Sequence, residues 1–405
     1  MTKPLLYVGL DVHAASISAA VAEAGRSGEV RLYGKIPGDL HAVDKFLTRL
    51  GYPDKELHVC YEAGPCGFVL ARHLRAKGIA CTVVAPSLTP KAKGDKVKTD
   101  RRDARMLARL HRAGELVAVH VPDPDDEAVR DLCRARTDAV EDMRRTRSRL
   151  RAFLLRNGHP PVGGKAAWGE AHKGTLRKLG LRHPAMGVVM EEYIGAIDDT
   201  CERIARLEKA MEQQLGNWVQ KPAVEALMGL RGFRVVAAMI TVSELGNIHR
   251  FTHARQLMAY VGLVPGENSS GESRRLGSIT KTGNVHLRWL INECAQHYRL
   301  PPKVSSQLSQ RQESIPKAHR RAVMELSWRC QNRLHEKGRA LAARGKTRQK
   351  VQTALARELS AFVWELMRLT MPLSEGAQPL RRDERPSSVP SPQKKQGRDY
   401  ILKPA

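Results

Sequence analysis

The stretch LLYVGLDV at residues 5–12 is apolar, rich in strand-forming residues, and ends beside the carboxylate of Asp11. A second stretch, LHVCYE at 57–62, has the same character and ends on Glu62. Further strand-like runs occupy 16–23, 30–36 and 79–84, and residues 68–77 have helical periodicity. Because strands that alternate with helices are typical of α/β architecture, we predict a mixed α/β domain over residues 1–118.

The chain is strongly basic. Its 405 residues include 68 Lys and Arg against 42 Asp and Glu, a formal charge of +26. A surplus of this size indicates a polyanionic partner such as nucleic acid, although a binding protein without chemistry would also explain it. Aromatic residues make up only 5%, which argues against wide base-stacking platforms.

The seven cysteines are widely spaced and include no CxxC pair, which argues against a disulfide framework and against a zinc ribbon. The apolar run at the N-terminus breaks at Asp11, so it predicts neither a signal peptide nor a membrane span. No apolar stretch of 18 residues occurs elsewhere. We therefore expect a cytoplasmic protein with no membrane partner.

The rest of the chain is mainly helical. Apolar residues recur every 3, 4, 7 or 8 positions over 127–155 and 190–215, which predicts a helical stalk within 119–218. This stalk is either an antiparallel coiled coil that packs on a partner subunit or a plain helical bundle. A mainly α domain with a helix-hairpin-helix-like element follows over 219–310. Residues 311–372 are predicted to be basic and helical, and 373–405 to form a disordered tail.

Four carboxylates in the first domain are candidate metal ligands. Asp11 and Glu62 end apolar strands, and Asp100 and Asp103 lie three residues apart at the start of a helix. A single acid in such a position ordinarily caps a helix or complements its dipole. Four together would repel one another without a cation, so the set favours a site for Mg²⁺ or Mn²⁺. The Lys- and Arg-rich segment 91–105 is either a solvated loop or a guide for a nucleic-acid backbone.

The loop PGENSSGESRRLG at 265–277 carries serines beside glycine, and four cations lie in or near it: Arg274, Arg275, Lys281 and Arg288. A serine there could attack a phosphate, but such a composition is also ordinary for a polar loop. The histidines, among them His13, His249 and His286, have no metal-ligand spacing, so we expect structural roles for them.

Six motifs together resemble the insertion sequence 110 family of transposases. They occur in the same order as in the family, over about residues 5–300. They are GLDVH at 9–13, YEAG at 61–64, KTDRRDARMLARL at 98–110, LMGLRGF at 227–233, LMAYVGLVPGENSSGE at 257–272 and ITKTGNVHLRWLINECA at 279–295. Where the family often has Ser or Thr and then Lys after its first aspartate, this chain has Val12-His13-Ala14.

The resemblance implies a RuvC-like (RNase H-type) first domain in which Asp11, Glu62, Asp100 and Asp103 are catalytic metal-binding acids. It also implies that the serine preceding a glycine in the second domain becomes joined to DNA. That position is matched by Ser270, with Ser269 as a one-residue ambiguity. Similar proteins act as dimers or tetramers with composite sites, and some use a structured guide RNA to choose donor and target DNA.

We therefore predict a transposase that cleaves and rejoins DNA by metal-dependent chemistry through a serine-linked intermediate. The alternative is a Holliday-junction resolvase or nuclease of the RuvC-like kind, which acts by hydrolysis only. A simple resolvase would not need the domain at 224–295, which favours the transposase.

Overall fold

The chain divides into two units, one extending to Val121 and the other beginning at Pro122. The computed structural model describes residues 5–25, 27–90, 99–159, 168–270, 273 and 275–371. Within these ranges no helix is long and apolar enough to cross a membrane. Four features of the sequence lie outside them: the basic residues 91–98, part of the linker at 157–165, Gly271 with Arg274, and the tail at 373–405. The division into five domains therefore stays a prediction.

A five-stranded mixed sheet forms the centre of the first unit. Its elements in chain order are β1 (Leu6–Val12), β2 (Ser16–Glu23), β3 (Val30–Pro37), α1 (Leu40–Arg49), β4 (Leu57–Glu62), α2 (Val69–Ala76), β5 (Ala80–Val84) and α3 (Asp100–Ala113). The strand order is β3-β2-β1-β4-β5, antiparallel among the first three and parallel from β1 through β4 to β5. The predicted α/β unit is confirmed.

Helices cover both faces of this sheet. Because side chains alternate along a strand, Val8 and Leu10 join one cluster with the buried residues of α1 and α2. The opposite face packs small residues of β2 against Ala104 and Ala108 of α3. The approach of α3 to β1 is very close, since a Cβ at Gly9 would lie 2.4 Å from the Ala104 carbonyl oxygen. Glycine at position 9 therefore allows α3 to lie directly on β1.

The second unit is mostly helical, as predicted. Its elements are α4 (Pro124–Arg156), α5 (Glu170–Arg177), α6 (Pro184–Asn217), α7 (Lys221–Met228), α8 (Val235–Leu245), α9 (Ala254–Tyr260), β6 (Pro265–Glu267), β7 (Leu276–Ile279), α10 (Val285–Ala295), α11 (Ser306–Glu313), α12 (Lys317–Ala343) and α13 (Arg348–Thr370). A large apolar core joins the ends of α4 and α6 to α7 through α10, α12 and α13. The basic region after residue 311 is thus part of this core rather than an appendage.

The long helices α4 and α6 pack antiparallel. Phe153 and Leu154 at the end of α4 contact Ile194 near the start of α6, whereas Cys133 near the start of α4 joins a cluster with Met211 near the end of α6. Between these ends, the Arg136 guanidinium donates to Glu208 at 2.6 Å. An antiparallel pair of helices is therefore present, and both the coiled-coil geometry and the packing on a partner subunit remain predictions.

The turn between α7 and α8, where the sequence suggests a helix-hairpin-helix, is held by protein groups. Arg311 Nε donates to the Met228 carbonyl and Gln312 Nε2 to the Gly229 carbonyl, each at 2.9 Å. Arg231 in the turn donates to the Pro301 carbonyl at 2.8 Å. These contacts fix the turn against α11, and a phosphate-binding role for it stays a prediction.

Candidate functional site

Asp11 and Glu62 reach the same edge of the sheet on neighbouring strands. β1 and β4 run parallel with Leu10 opposite Tyr61, so the residue after each is one of the two acids. The Asp11 side chain is 16% exposed, and Glu62 is half-buried. The sequence predicted only that each acid lies at the end of an apolar strand, and the register adds that the two strands are neighbours.

Helix α3 brings the other two acids in its first turn. Thr99 caps the helix by accepting a hydrogen bond from the Arg102 amide, and Asp100 and Asp103 then lie where carboxylates complement the helix dipole. Helix α3 lies directly on β1 at Gly9, which is two residues before Asp11. The first turn of α3 therefore lies near the end of β1. Residues almost ninety positions apart are thereby brought together.

His13 also lies in this cluster, which no residue spacing in the sequence indicated. Its Nε2 lies 3.3 Å from an Asp11 carboxylate oxygen and 3.7 Å from one of Asp100. The ligand atoms of Asp11, His13 and Asp100 all fall within 4.8 Å of one another. Glu62 and Asp103 are not members of this group among the described residues. The sequence suggested a structural role for His13, and the structure places its imidazole just after β1, beside the two carboxylates.

The charges of this cluster are poorly balanced. Burial raises the pKa of Asp11, and the nearby negative charges of Asp100 and Asp103 raise it further, whereas His13 lowers it through its charge and its hydrogen bond. Burial is the largest cause of the raised pKa, and the opposing effect of His13 does not cancel it. Two carboxylates and an imidazole at this spacing fit a divalent cation, and oxygen ligands suit Mg²⁺ or Mn²⁺.

The second candidate, Ser270, lies at the tip of a hairpin formed by β6 and β7. Its backbone pairs with Ser273, with N–H to oxygen distances of 3.1 and 3.2 Å in the two directions. The neighbouring Ser269 hydroxyl donates to Glu267 at 2.9 Å and accepts from the Arg275 amide at 3.2 Å. In contrast, the exposed Ser270 side chain makes no hydrogen bond within the described part of the chain. The Ser269 hydroxyl is thus engaged within the hairpin, whereas the Ser270 hydroxyl has no partner among the described residues.

The base of the hairpin is held tightly. Arg288 Nη1 donates to the carbonyls of Val261 and Thr282, at 3.1 and 2.9 Å. Gly283 adopts a φ of +71°, and a Cβ there would lie 1.9 Å from the Tyr260 carbonyl oxygen. Arg288, which the sequence suggested as a phosphate-binding cation, therefore has a structural part in holding this loop.

A buried polar network ties the loop after β7 to the long helix α4. Glu244 in α8 accepts two hydrogen bonds from Arg134 of α4, at 2.7 and 2.9 Å. Its second oxygen also accepts from Asn284 Nδ2 at 2.6 Å, and Asn284 in turn caps α10. These partners lower the pKa of Glu244 although its burial alone would raise it. An acid inside the apolar run VVAAMITVSEL was a sequence signal for such a network.

Both parts of the chain match known transposase families. Residues 8–159 match a family model described as a transposase of the DEDD IS110 kind, and residues 224–310 match that of the transposase IS116/IS110/IS902 family.

Two relatives extend the likeness over most of the chain. The protein y4qE of Sinorhizobium fredii (strain NBRC 101917 / NGR234), which is named as a transposase, is 42% identical over 362 residues, or 89% of this chain and 88% of its own length. The transposase for insertion sequence element IS1533 of Leptospira borgpetersenii is 28% identical over 85% of this chain and 99% of its own. On these matches, the chain belongs to the IS110 family of insertion-sequence transposases.

Proposed function

We propose that this transposase cleaves and rejoins DNA through a serine-linked intermediate, with Asp11, Glu62, Asp100 and Asp103 as its metal-binding acids. The observation that carries the proposal is the convergence of Asp11, His13 and Asp100 within 4.8 Å in a chain of a transposase family. The mixed sheet with helices on both faces is compatible with the RuvC-like fold that the resemblance implies.

In this proposal the Ser270 oxygen attacks a backbone phosphorus. A serine–phosphate ester bond forms, one phosphorus–oxygen bond of the DNA breaks, and the serine proton passes to solvent or to the departing DNA oxygen. Rejoining reverses these steps with the hydroxyl of another strand. Among the described residues the Ser270 hydroxyl has no hydrogen-bond partner, which supports this role, whereas Ser269 is engaged in holding the hairpin.

The acids supply the metal-binding part of the proposed chemistry. A divalent cation, when bound, would supply positive charge that polarises the phosphodiester and stabilises the attacking and leaving oxygens. Asp11 and Asp100 are the carboxylates whose positions fit it best, and His13 orients Asp11 through its hydrogen bond. Glu62 and Asp103 would complete the ligand set from the adjacent strand end and the same helix turn. A guide RNA and a dimer or tetramer with composite sites remain predictions of the family resemblance.

The test is a supercoiled plasmid carrying the ends of the element, incubated with Mg²⁺ and analysed for covalent protein–DNA adducts. Adducts from the wild-type chain should disappear in Ser270→Ala and persist in Ser269→Ala, the matched neighbour. Asp11→Asn should abolish all strand cleavage because it removes a metal-binding oxygen.

Two other outcomes would contradict the proposal. Nicking that survives in Ser270→Ala without any adduct would indicate the hydrolytic nuclease or resolvase instead. Cleavage that persists in Asp11→Asn would show that the acidic cluster is not the catalytic site.

A further inference from the structure

Helix α3, which begins with the acids, also carries a row of arginines along its exposed side. Arg101, Arg105 and Arg109 follow one another every four residues and are all exposed. At 1.5 Å of rise per residue the row is about 12 Å long. Residues four apart lie on one helix face, so the three guanidinium groups form a single basic stripe.

These arginines differ from Arg112 at the end of the same helix. Arg112 donates to the carbonyls of Glu23 and Gly28, at 3.1 and 2.6 Å, and so holds the turn between β2 and β3. In the part of the chain that the structure describes, the side chains of the three stripe arginines make no hydrogen bond and no ion pair. Three unneutralised charges in a row on one helix repel one another, which is tolerated more easily when an anion covers them.

We propose that the stripe of Arg101, Arg105 and Arg109 binds the phosphate backbone of the DNA that is cut, and leads it to the acids in the first turn of α3. Phosphates along one strand rise about 3.4 Å each, so a 12 Å row spans roughly three or four of them. The same rigid helix then carries both the backbone contacts and Asp100. Backbone contacts of this kind position DNA without reading its sequence.

This inference deepens the proposed function, but its test does not depend on cleavage. Binding of a fluorescent duplex DNA of unrelated sequence is measured by anisotropy in EDTA, over a range of salt concentrations. Arg105→Gln with Arg109→Gln removes two charges and leaves Arg101, next to Asp100, in place. The matched control is Lys45→Gln with Arg49→Gln, which removes two exposed charges four residues apart on α1, across the sheet from α3.

The stripe variant should bind about tenfold or more weakly at 0.1 M salt, and its plot of log affinity against log salt should be shallower by about 2. The control should retain its slope, and circular dichroism should show that both variants fold. An equal loss of DNA affinity in the stripe variant and the control would mean that only net charge matters. An unchanged DNA affinity in the stripe variant would show that the stripe does not contact the DNA backbone. A stripe variant that binds an RNA duplex more weakly but binds the DNA duplex as tightly as wild type would also overturn the proposal. EDTA removes divalent metal ions and no cleavage is measured. The DNA-binding result therefore remains valid even if the proposed serine chemistry fails.

Discussion

At the scale of single residues, His13 most changes how the site is understood. Its imidazole lies between two carboxylates and is itself 55% exposed, so it is accessible to solvent and to a bound ion. Whether it contacts the cation or only orients Asp11, its removal withdraws a partner from the cluster. The family resemblance gave no role to this position, where the chain departs from the usual Ser or Thr and Lys.

We expect His13→Ala to weaken Mn²⁺ binding by about ten- to a hundredfold, the range found for groups that orient metal ligands. Calorimetric titration of the full chain with Mn²⁺ measures this directly. His41→Ala is the control, because His41 is exposed on α1 across the sheet from α3 and should leave the affinity unchanged. An unchanged affinity in His13→Ala would remove His13 from the site.

At the scale of elements, Glu244 joins α4, α8 and the loop that precedes α10. A buried carboxylate with two bonds from Arg134 and one from Asn284 is satisfied only while all three elements are in place. The serine hairpin is fixed at its base by the same loop. Loss of this network should therefore loosen the hairpin as well as the helices.

Replacing Glu244 by Gln should lower the free energy of unfolding by roughly 2–4 kcal/mol at pH 7, since it leaves the Arg134 charge without its partner. The folded-state pKa of Glu244 is lowered from its ordinary value of 4.5. Its stabilisation is therefore complete above about pH 4.5 and is lost as pH falls through the lowered value. Urea unfolding between pH 3 and pH 7 should show wild type and variant converging in acid, and a constant difference would contradict this role.

At the scale of the whole molecule, binding and chemistry draw on different charges. The formal charge of +26 favours attraction of nucleic acid, whereas Asp11 and Asp100 form a small negative cluster. Attraction to the DNA backbone needs no metal, whereas we expect the negative cluster to need a bound cation before a phosphate can approach it closely.

EDTA should therefore abolish DNA cleavage while leaving binding of unrelated duplex DNA intact. That binding should fall by about a thousandfold between 50 and 200 mM salt, as is typical of proteins that contact six or more phosphates. Filter binding and plasmid cleavage, run on the same preparation, separate the two effects. Cleavage that resists EDTA, or binding that requires Mg²⁺, would contradict this division.

The sequence by itself predicted most of the long strands and helices and indicated the family, but it did not predict α1, α5 or the strands β6 and β7, which lie in the segment predicted to be a polar loop. Strands such as Ser16–Glu23 and Leu57–Glu62, and the long helices of the second unit, follow from local periodicity, because burial of one face requires a regular spacing of apolar residues. The same spacing put Asp11 and Glu62 at strand ends. Charge and motif order then indicated a DNA-processing transposase.

Only the tertiary structure decided which of these groups meet. The packing of α3 on Gly9 brings Asp100 to Asp11 and His13, and no local pattern encodes a contact between residues so distant in sequence. Likewise, the arginines of α3 have different environments. Arg112 donates to backbone carbonyls, whereas the arginines of the stripe are exposed. Periodicity determines which face of an element is apolar, but the partner that covers each polar group depends on how the elements pack together.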